Sequence, residues 1–259
     1  MPLSFYRKPG LVVYVTCGDP DLATTLNLVL AAIEGGADVI ELGVPFSDPV
    51  ADGPVIQRAS ERALKQGTCL AQVLTLAAEV RQHAQSTGLV VFSYLNPILR
   101  MGMEKFCKVA RHAGVDGVLV TDLPVEEAGE YLQAMRSYDL APIFLAAPTS
   151  PDERLKRIAQ ASRGFVYAVS RTGVTGVRQK LADDAQKLVR RLRRVTKLPI
   201  AVGFGISNAE QFAEVGEFAD AVVVGSAIVN QIAENGKSPE LVAKVGAFVK
   251  SLSDAVKSI

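Results

Sequence analysis

Two carboxylates, Glu41 and Asp52, lie eleven residues apart in the segment Glu41-Leu-Gly-Val-Pro-Phe-Ser-Asp-Pro-Val-Ala-Asp52. The chain has only two histidines, His83 and His112, both in stretches of helical character with no metal-ligand partner at i+4. Acid–base chemistry in this protein therefore falls to carboxylates or tyrosines. Glu41 sits in the apolar run Val39–Gly43. Side chains alternate along a strand, so if Ile40 and Leu42 face outward, Val39 and Glu41 face inward. No Lys or Arg occurs in any of the eight strand-like runs, and the nearest is Arg171. An inward carboxyl group without a cation has a raised pKa and can hold or release a proton near neutrality. Asp52 stands in a loop stiffened by Pro45, Pro49 and Pro54 and is followed by Gly53. Spacing alone leaves it open between a turn-former, as Asp48 before Pro49 is read, and a functional carboxylate. Two carboxylates in different environments are able to divide acid and base roles.

Glycine-bearing segments mark a second kind of chemistry. Ser170-Arg-Thr-Gly173-Val-Thr-Gly176 reads as a mobile segment able to close over a ligand. Gly203-Phe204-Gly205-Ile-Ser207 and Gly225-Ser226 each follow an apolar run, with Ser226 opening a helix. Backbone N–H groups and a helix amino end at such places suit a phosphate, and glycine lets the backbone approach it closely. Other chemistries are set aside. No Lys lies at a strand end for a Schiff base, and no Gly-x-Ser-x-Gly pattern suggests acyl transfer. No His and acidic cluster suggests a metal centre.

The elements that must carry these residues recur regularly. The apolar runs are Leu11–Thr16, Val39–Gly43, Leu89–Tyr94, Gly117–Val120, Pro142–Ala146, Phe165–Val169, Ile200–Gly203 and Ala221–Gly225. Continuous rather than alternating apolar character suits strands covered on both faces. Amphipathic stretches such as Leu22–Gly35, Glu126–Tyr138 and Asp152–Ala161 separate them. The alternation predicts an α/β fold, a single (β/α)₈ TIM barrel over residues 1–259, with its phosphate site after strands seven and eight. Gly35-Gly36 and Gly114 fall where helices stop, Pro199 precedes the seventh strand, and Ser207 with Glu210 has capping-box spacing. The cationic run from Lys187 to Lys197 reads as a solvated helix face, and the three cysteines, Cys17, Cys69 and Cys107, as small buried hydrophobes. A net charge of +1 gives no field that gathers nucleic acid or membrane. The apolar stretches fall short of the ~20 residues of a membrane span. The first ten residues are polar and hold no signal-peptide core, so a cytoplasmic location is expected.

The Glu41-to-Gln57 block resembles the signature of the tryptophan synthase alpha subunit. So do Thr16-Cys-Gly-Asp-Pro20, Tyr94-Leu-Asn-Pro97, Thr121-Asp-Leu-Pro124, Ser170–Gly176 and Val202–Ser207, all in order from about Leu11 onward. The resemblance implies retro-aldol cleavage of indole-3-glycerol phosphate to indole and glyceraldehyde 3-phosphate. It implies Glu41 as the general acid–base, Asp52 as the carboxylate that engages the indole N–H, and Tyr167 as a tyrosine beside the catalytic Glu. Thr175 matches a closing-loop threonine that meets Asp52. Gly176, Phe204, Gly205, Gly225 and Ser226 match the phosphate cradle, and Tyr14, Ile56 and Leu99 the indole-pocket walls. It further implies an α₂β₂ partner, a beta subunit that holds pyridoxal phosphate, so that no cofactor is expected in this chain. Asp48, Pro49 and the Asn96–Met103 region would face that partner. Such relatives carry a helix before the first strand, whereas only ten residues precede Leu11 here. The barrel floor is accordingly expected to be less covered. Two other readings share some of these features: a mainly regulatory alpha subunit that activates a beta subunit with little turnover, and another phosphate-binding barrel enzyme.

Overall fold

The computed structural model describes residues 3–5, 7–169, 178–203, 205–236 and 238–255. Nine strands are β1 (Gly10–Thr16), β2 (Val39–Gly43), β3 (Gly88–Ser93), β4 (Gly117–Val120), β5 (Ala141–Ile143), β6 (Leu145–Ala146), β7 (Val166–Val169), β8 (Ile200–Gly203) and β9 (Ala221–Val224). All pair in parallel, in the order β5-β4-β3-β2-β1-β9-β8-β7-β6. The fifth run is thus split. Its first half bonds to β4 and its second to β7, while the Phe144 carbonyl between them accepts the Tyr167 N–H at 3.1 Å. One run serving two neighbours closes the ring, and the predicted TIM barrel stands.

Eleven helices surround the described sheet: α1 (Leu22–Glu34), α2 (Pro54–Lys65), α3 (Leu70–His83), α4 (Leu95–Met101), α5 (Met103–His112), α6 (Gly129–Ser137), α7 (Asp152–Ala161), α8 (Arg178–Arg193), α9 (Ala209–Gly216), α10 (Ser226–Asn235) and α11 (Leu241–Asp254). The β2 and β3 connections each hold two. The Asn96–Met103 region is therefore mostly helical. Residues 125–127 form a separate 3₁₀ turn, so α6 starts later than the periodicity implied. Nor does Ser207 cap α9. Asn208 does, its side chain accepting the Gln211 N–H at 2.9 Å, while Gln211 reaches back to the Ser207 N–H. Cys69 is exposed ahead of α3, correcting its reading as a buried residue, whereas Cys17 and Cys107 are buried. The cationic run is less free than a solvated face: Arg191 ties to Asp152 and Arg193 to Asp220.

Strand alternation divides the core. Ile40 and Leu42 join the layer packed under the helices, whereas Val12, Val39, Val90, Leu119 and Ala201 fill the barrel interior. The floor is not bare. Leu3 enters it at 5% exposure and packs in the same interior cluster, with Phe5 beside Phe165 at a ring separation of 5.8 Å. Added β-carbons on Gly88, Gly117 and Gly164 would come within 2.8–2.9 Å of the Leu3 side chain. Three glycines at or near the amino ends of the strands thus cede the volume that Leu3 occupies. Leu3→Ala should lower unfolding stability by ~2–5 kcal/mol, the usual cost of emptying a leucine-sized site. Urea titration checks this, and a change under ~1 kcal/mol would mean that the plug adds little. Among the described residues no helix is long and apolar enough to cross a membrane.

Candidate active site

Glu41 lies on β2 between Tyr14 of β1 and Val90 of β3 in the strand register. It is fully buried, and neither carboxyl oxygen has a hydrogen-bond partner among the described residues. An unpartnered buried carboxylate is costly, and the group meets that cost by keeping its proton. Burial lifts its pKa from the ordinary 4.5 to about 8. The inward orientation expected from alternation is what the strand register produces.

Two tyrosines and a second carboxylate share the surroundings of this group. Tyr14 is buried, edge-on to Phe92 at 5.1 Å, with its hydroxyl 3.3 Å from Thr16 Oγ1. Its ring reaches over β2, where a β-carbon on Gly43 would stand 2.3 Å from the phenol oxygen. Tyr167 of β7 is likewise buried, and its ring lies over Gly203 of β8, 2.9 Å from where a β-carbon would be. Burial raises both phenols well above their usual range. The Asp52 charge adds to this at Tyr14, and the charges of Glu41, Tyr14 and Asp52 add to it at Tyr167. These four side chains share one electrostatic environment.

Asp52 closes the group from the β2–α2 connection, two residues before α2. Tyr94, just past β3, donates its hydroxyl to Asp52 Oδ2 at 3.2 Å and accepts the Ala51 N–H at 2.9 Å. Gln57 donates to the Asp52 main-chain carbonyl at 3.0 Å. Burial raises the Asp52 pKa from 3.8 to about 6, with the Tyr94 bond pulling the other way. Two carboxyl groups with different pKa values therefore face one interior. Neither Tyr94 nor Gln57 stood out in the sequence as a site residue. A tyrosine at the carboxyl end of a strand, in a chain with two histidines, was the signal available for Tyr94.

The remaining residues fall into four groups. Ile56 on α2 packs with Tyr14, Ala59 and Val229, so it shares the Tyr14 wall. Gly225 precedes α10, which Ser226 opens, and a β-carbon at Gly225 would touch Tyr14 Cβ at 3.3 Å. That helix amino end and Gly205, held at φ +70°, lie at the carboxyl ends of β9 and β8. Leu99 is not with them: it stands 55% exposed on α4, outside the Tyr14 cluster. Thr175, Gly176 and Phe204 lie outside the described residues.

A family model described as tryptophan synthase alpha chain matches residues 4–257. The chain belongs to the tryptophan synthase alpha chain family. A tryptophan synthase alpha chain from Solibacter usitatus is 51% identical over 246 residues, 95% of this chain and 92% of that one. Another from Nitrosomonas europaea is 46% identical over 254 residues, 98% and 92% of the two chains. Among solved structures, the tryptophan synthase alpha subunit of Legionella pneumophila superposes with a TM-score of 0.90 at 37% identity, covering 98% and 94%. A chain from the tryptophan synthase a2b2 complex of Pyrococcus furiosus, a structure concerned with mutual activation, gives 0.89 at 43% identity, covering 96% and 100%. Within this family fold, Glu41 presents a carboxyl group of raised pKa to the barrel interior. The glycines after β8 and β9 stand at the end of the barrel where anions are held.

Proposed function

We propose that this alpha chain is a carbon–carbon lyase that cleaves indole-3-glycerol phosphate to indole and glyceraldehyde 3-phosphate in tryptophan biosynthesis. The observation that carries this reading is the buried, unpartnered Glu41 facing Asp52, Tyr14 and Tyr167. Protonated Glu41 gives its proton to indole C3. The bond from C3 to the hydroxyl-bearing carbon then breaks, the hydroxyl surrenders its proton to the Glu41 carboxylate, and that carbon becomes the aldehyde. Glu41 ends protonated, ready for the next turnover. Ionised Asp52 accepts the indole N–H and stabilises the positive charge that C3 protonation puts on the ring. Tyr167 packs beside Glu41 and keeps water from it, and Tyr14 and Ile56 wall the aromatic ring. Gly205, Gly225 and Ser226 supply backbone and helix-end donors for the phosphate, and Gly176, Phe204 and Thr175 are assigned to the phosphate and closing-loop roles from the family resemblance of their motifs alone.

Indole passes to a pyridoxal-phosphate-dependent beta subunit in an α₂β₂ assembly, so this chain needs no cofactor of its own and works in the cytoplasm. Val50, 83% exposed beside Pro49, and Leu99 on α4 are apolar residues open to such a partner. Their exposure is better accounted for there than in the indole pocket. The test is indole release from indole-3-glycerol phosphate by the purified chain, with and without a beta subunit. Release under either condition is expected. None under both, with a beta subunit still activated, leaves the purely regulatory reading in its place.

A further inference from the structure

Asp19 and Arg62 form a charge pair that the chemistry above does not use. Asp19 follows β1 on the β1–α1 connection, at the same end of the barrel as Glu41 and Asp52. It is 1% exposed, and Arg62 takes both its oxygens: Nε to Oδ1 at 2.8 Å and Nη2 to Oδ2 at 2.7 Å. Arg62 stands in the last turn of α2, the helix that begins two residues after Asp52. The side of α2 toward the barrel bears Ile56 and Ala59 against Tyr14, and its Gln57 holds the Asp52 carbonyl. Beyond its far end, Thr68 packs on Gly18, where a β-carbon would come within 2.0 Å of Thr68 Oγ1.

Asp19 is buried and Arg62 is 36% exposed, and an ion pair of this kind gains little net stability, because desolvation of the buried carboxylate offsets the attraction. Its two-point geometry does fix orientation, since a planar guanidinium meets a carboxylate in one plane. A single linkage therefore runs from the β1 end through Arg62 and α2 to the Asp52 main chain. Lengthwise and rotational freedom of α2 would shift Ile56 and Asp52 together.

We propose that the Asp19–Arg62 pair is a positioning device for the cleavage reaction, locking α2 to the β1–α1 connection so that Asp52 stands at a fixed place relative to Glu41. This rests on the lyase reading given above. Neither residue touches the reacting atoms, so both are positioning residues. Displacement of a reacting group by about an ångström is able to cost ~10²-fold in rate.

The experiment measures kcat and KM for indole release by the full-length chain with a beta subunit, for the wild type, Asp19→Asn, Arg62→Lys, Arg62→Gln and the double variant Asp19→Asn/Arg62→Gln. Circular dichroism and thermal midpoints are recorded on the same samples, and Glu41→Gln is run beside them. Asp19→Asn and Arg62→Gln should each lower kcat by ~10- to ~10²-fold, with KM moved less than ~3-fold. Arg62→Lys, which keeps the charge and loses the fork, should fall between them and the wild type. The double variant should be no worse than the more damaged single, because both break one link. Unchanged kcat in folded variants, whether or not the midpoint falls, overturns the proposal and leaves a structural pair. So do losses that multiply in the double variant. If Asp19→Asn does not fold, Arg62→Lys decides on the same criteria. A wild type that releases no indole under any condition rejects the lyase reading itself. Cleavage that Glu41→Gln abolishes and the clamp variants leave intact rejects only the clamp.

Discussion

Replacing Glu41 with Gln should cut indole release by ~10²–10⁴-fold or more while the chain stays folded, because the amide can neither donate nor recover the proton. The size follows from where the group sits. Glu41 is fully buried with neither oxygen partnered among the described residues, so no hydrogen-bonded neighbour is in place to take over its proton. The same substitution carries a stability signature of defined sign. Glu41 has a pKa of about 8 in the fold against an ordinary 4.5, so between those values the unfolded chain binds fewer protons than the folded one. Stability therefore falls as pH rises through that window, being fullest below the lower value and most reduced above the upper. Relative to Glu41→Gln, the wild type should lose stability by several kcal/mol from about pH 4.5 to about 8. Denaturant titrations of both at several pH values read this out. Parallel pH profiles would contradict it.

Asp52→Asn should cost ~10²–10³-fold in kcat, the range for removing one preorganised group that meets charge developing in the transition state. Its environment separates it from Glu41. Asp52 is partly open to solvent, bonded by Tyr94, and has a pKa of about 6. Ionised Asp52 and protonated Glu41 coexist only between the two pKa values. The rate should accordingly rise through about pH 6 and fall through about pH 8. The acid limb belongs to Asp52 and should vanish from the residual activity of Asp52→Asn. An acid limb that survives in that variant would move the assignment to another group.

The parts of this account that were legible in the sequence are those set by short-range rules. Strand alternation turned Glu41 inward, and glycines marked helix ends. The fifth strand read as one run because nothing local tells that its halves serve different neighbours. The part that Leu3 and Phe5 play at the floor was not visible because they are scattered apolar residues in a short segment with no periodic pattern. Only the three glycines that Leu3 meets, each distant in sequence, reveal its place. Cys69 was placed by residue type, and type does not report exposure. Asp52 could not be decided from spacing, since its raised pKa comes from burial in the folded barrel and its hydrogen-bond partner Tyr94 lies forty-two positions away. The Asp19–Arg62 pair was invisible for the same reason.

The most direct test of the central claim, that Glu41 holds its proton near neutrality, is infrared difference spectroscopy of wild type against Glu41→Gln across pH. The account predicts a protonated-carboxyl band present at pH 7, absent from the variant, and lost with a midpoint near 8. No such band at pH 7, or one lost near the ordinary value of 4.5, would mean that Glu41 is ionised in the resting protein. It would then have no proton to give indole C3.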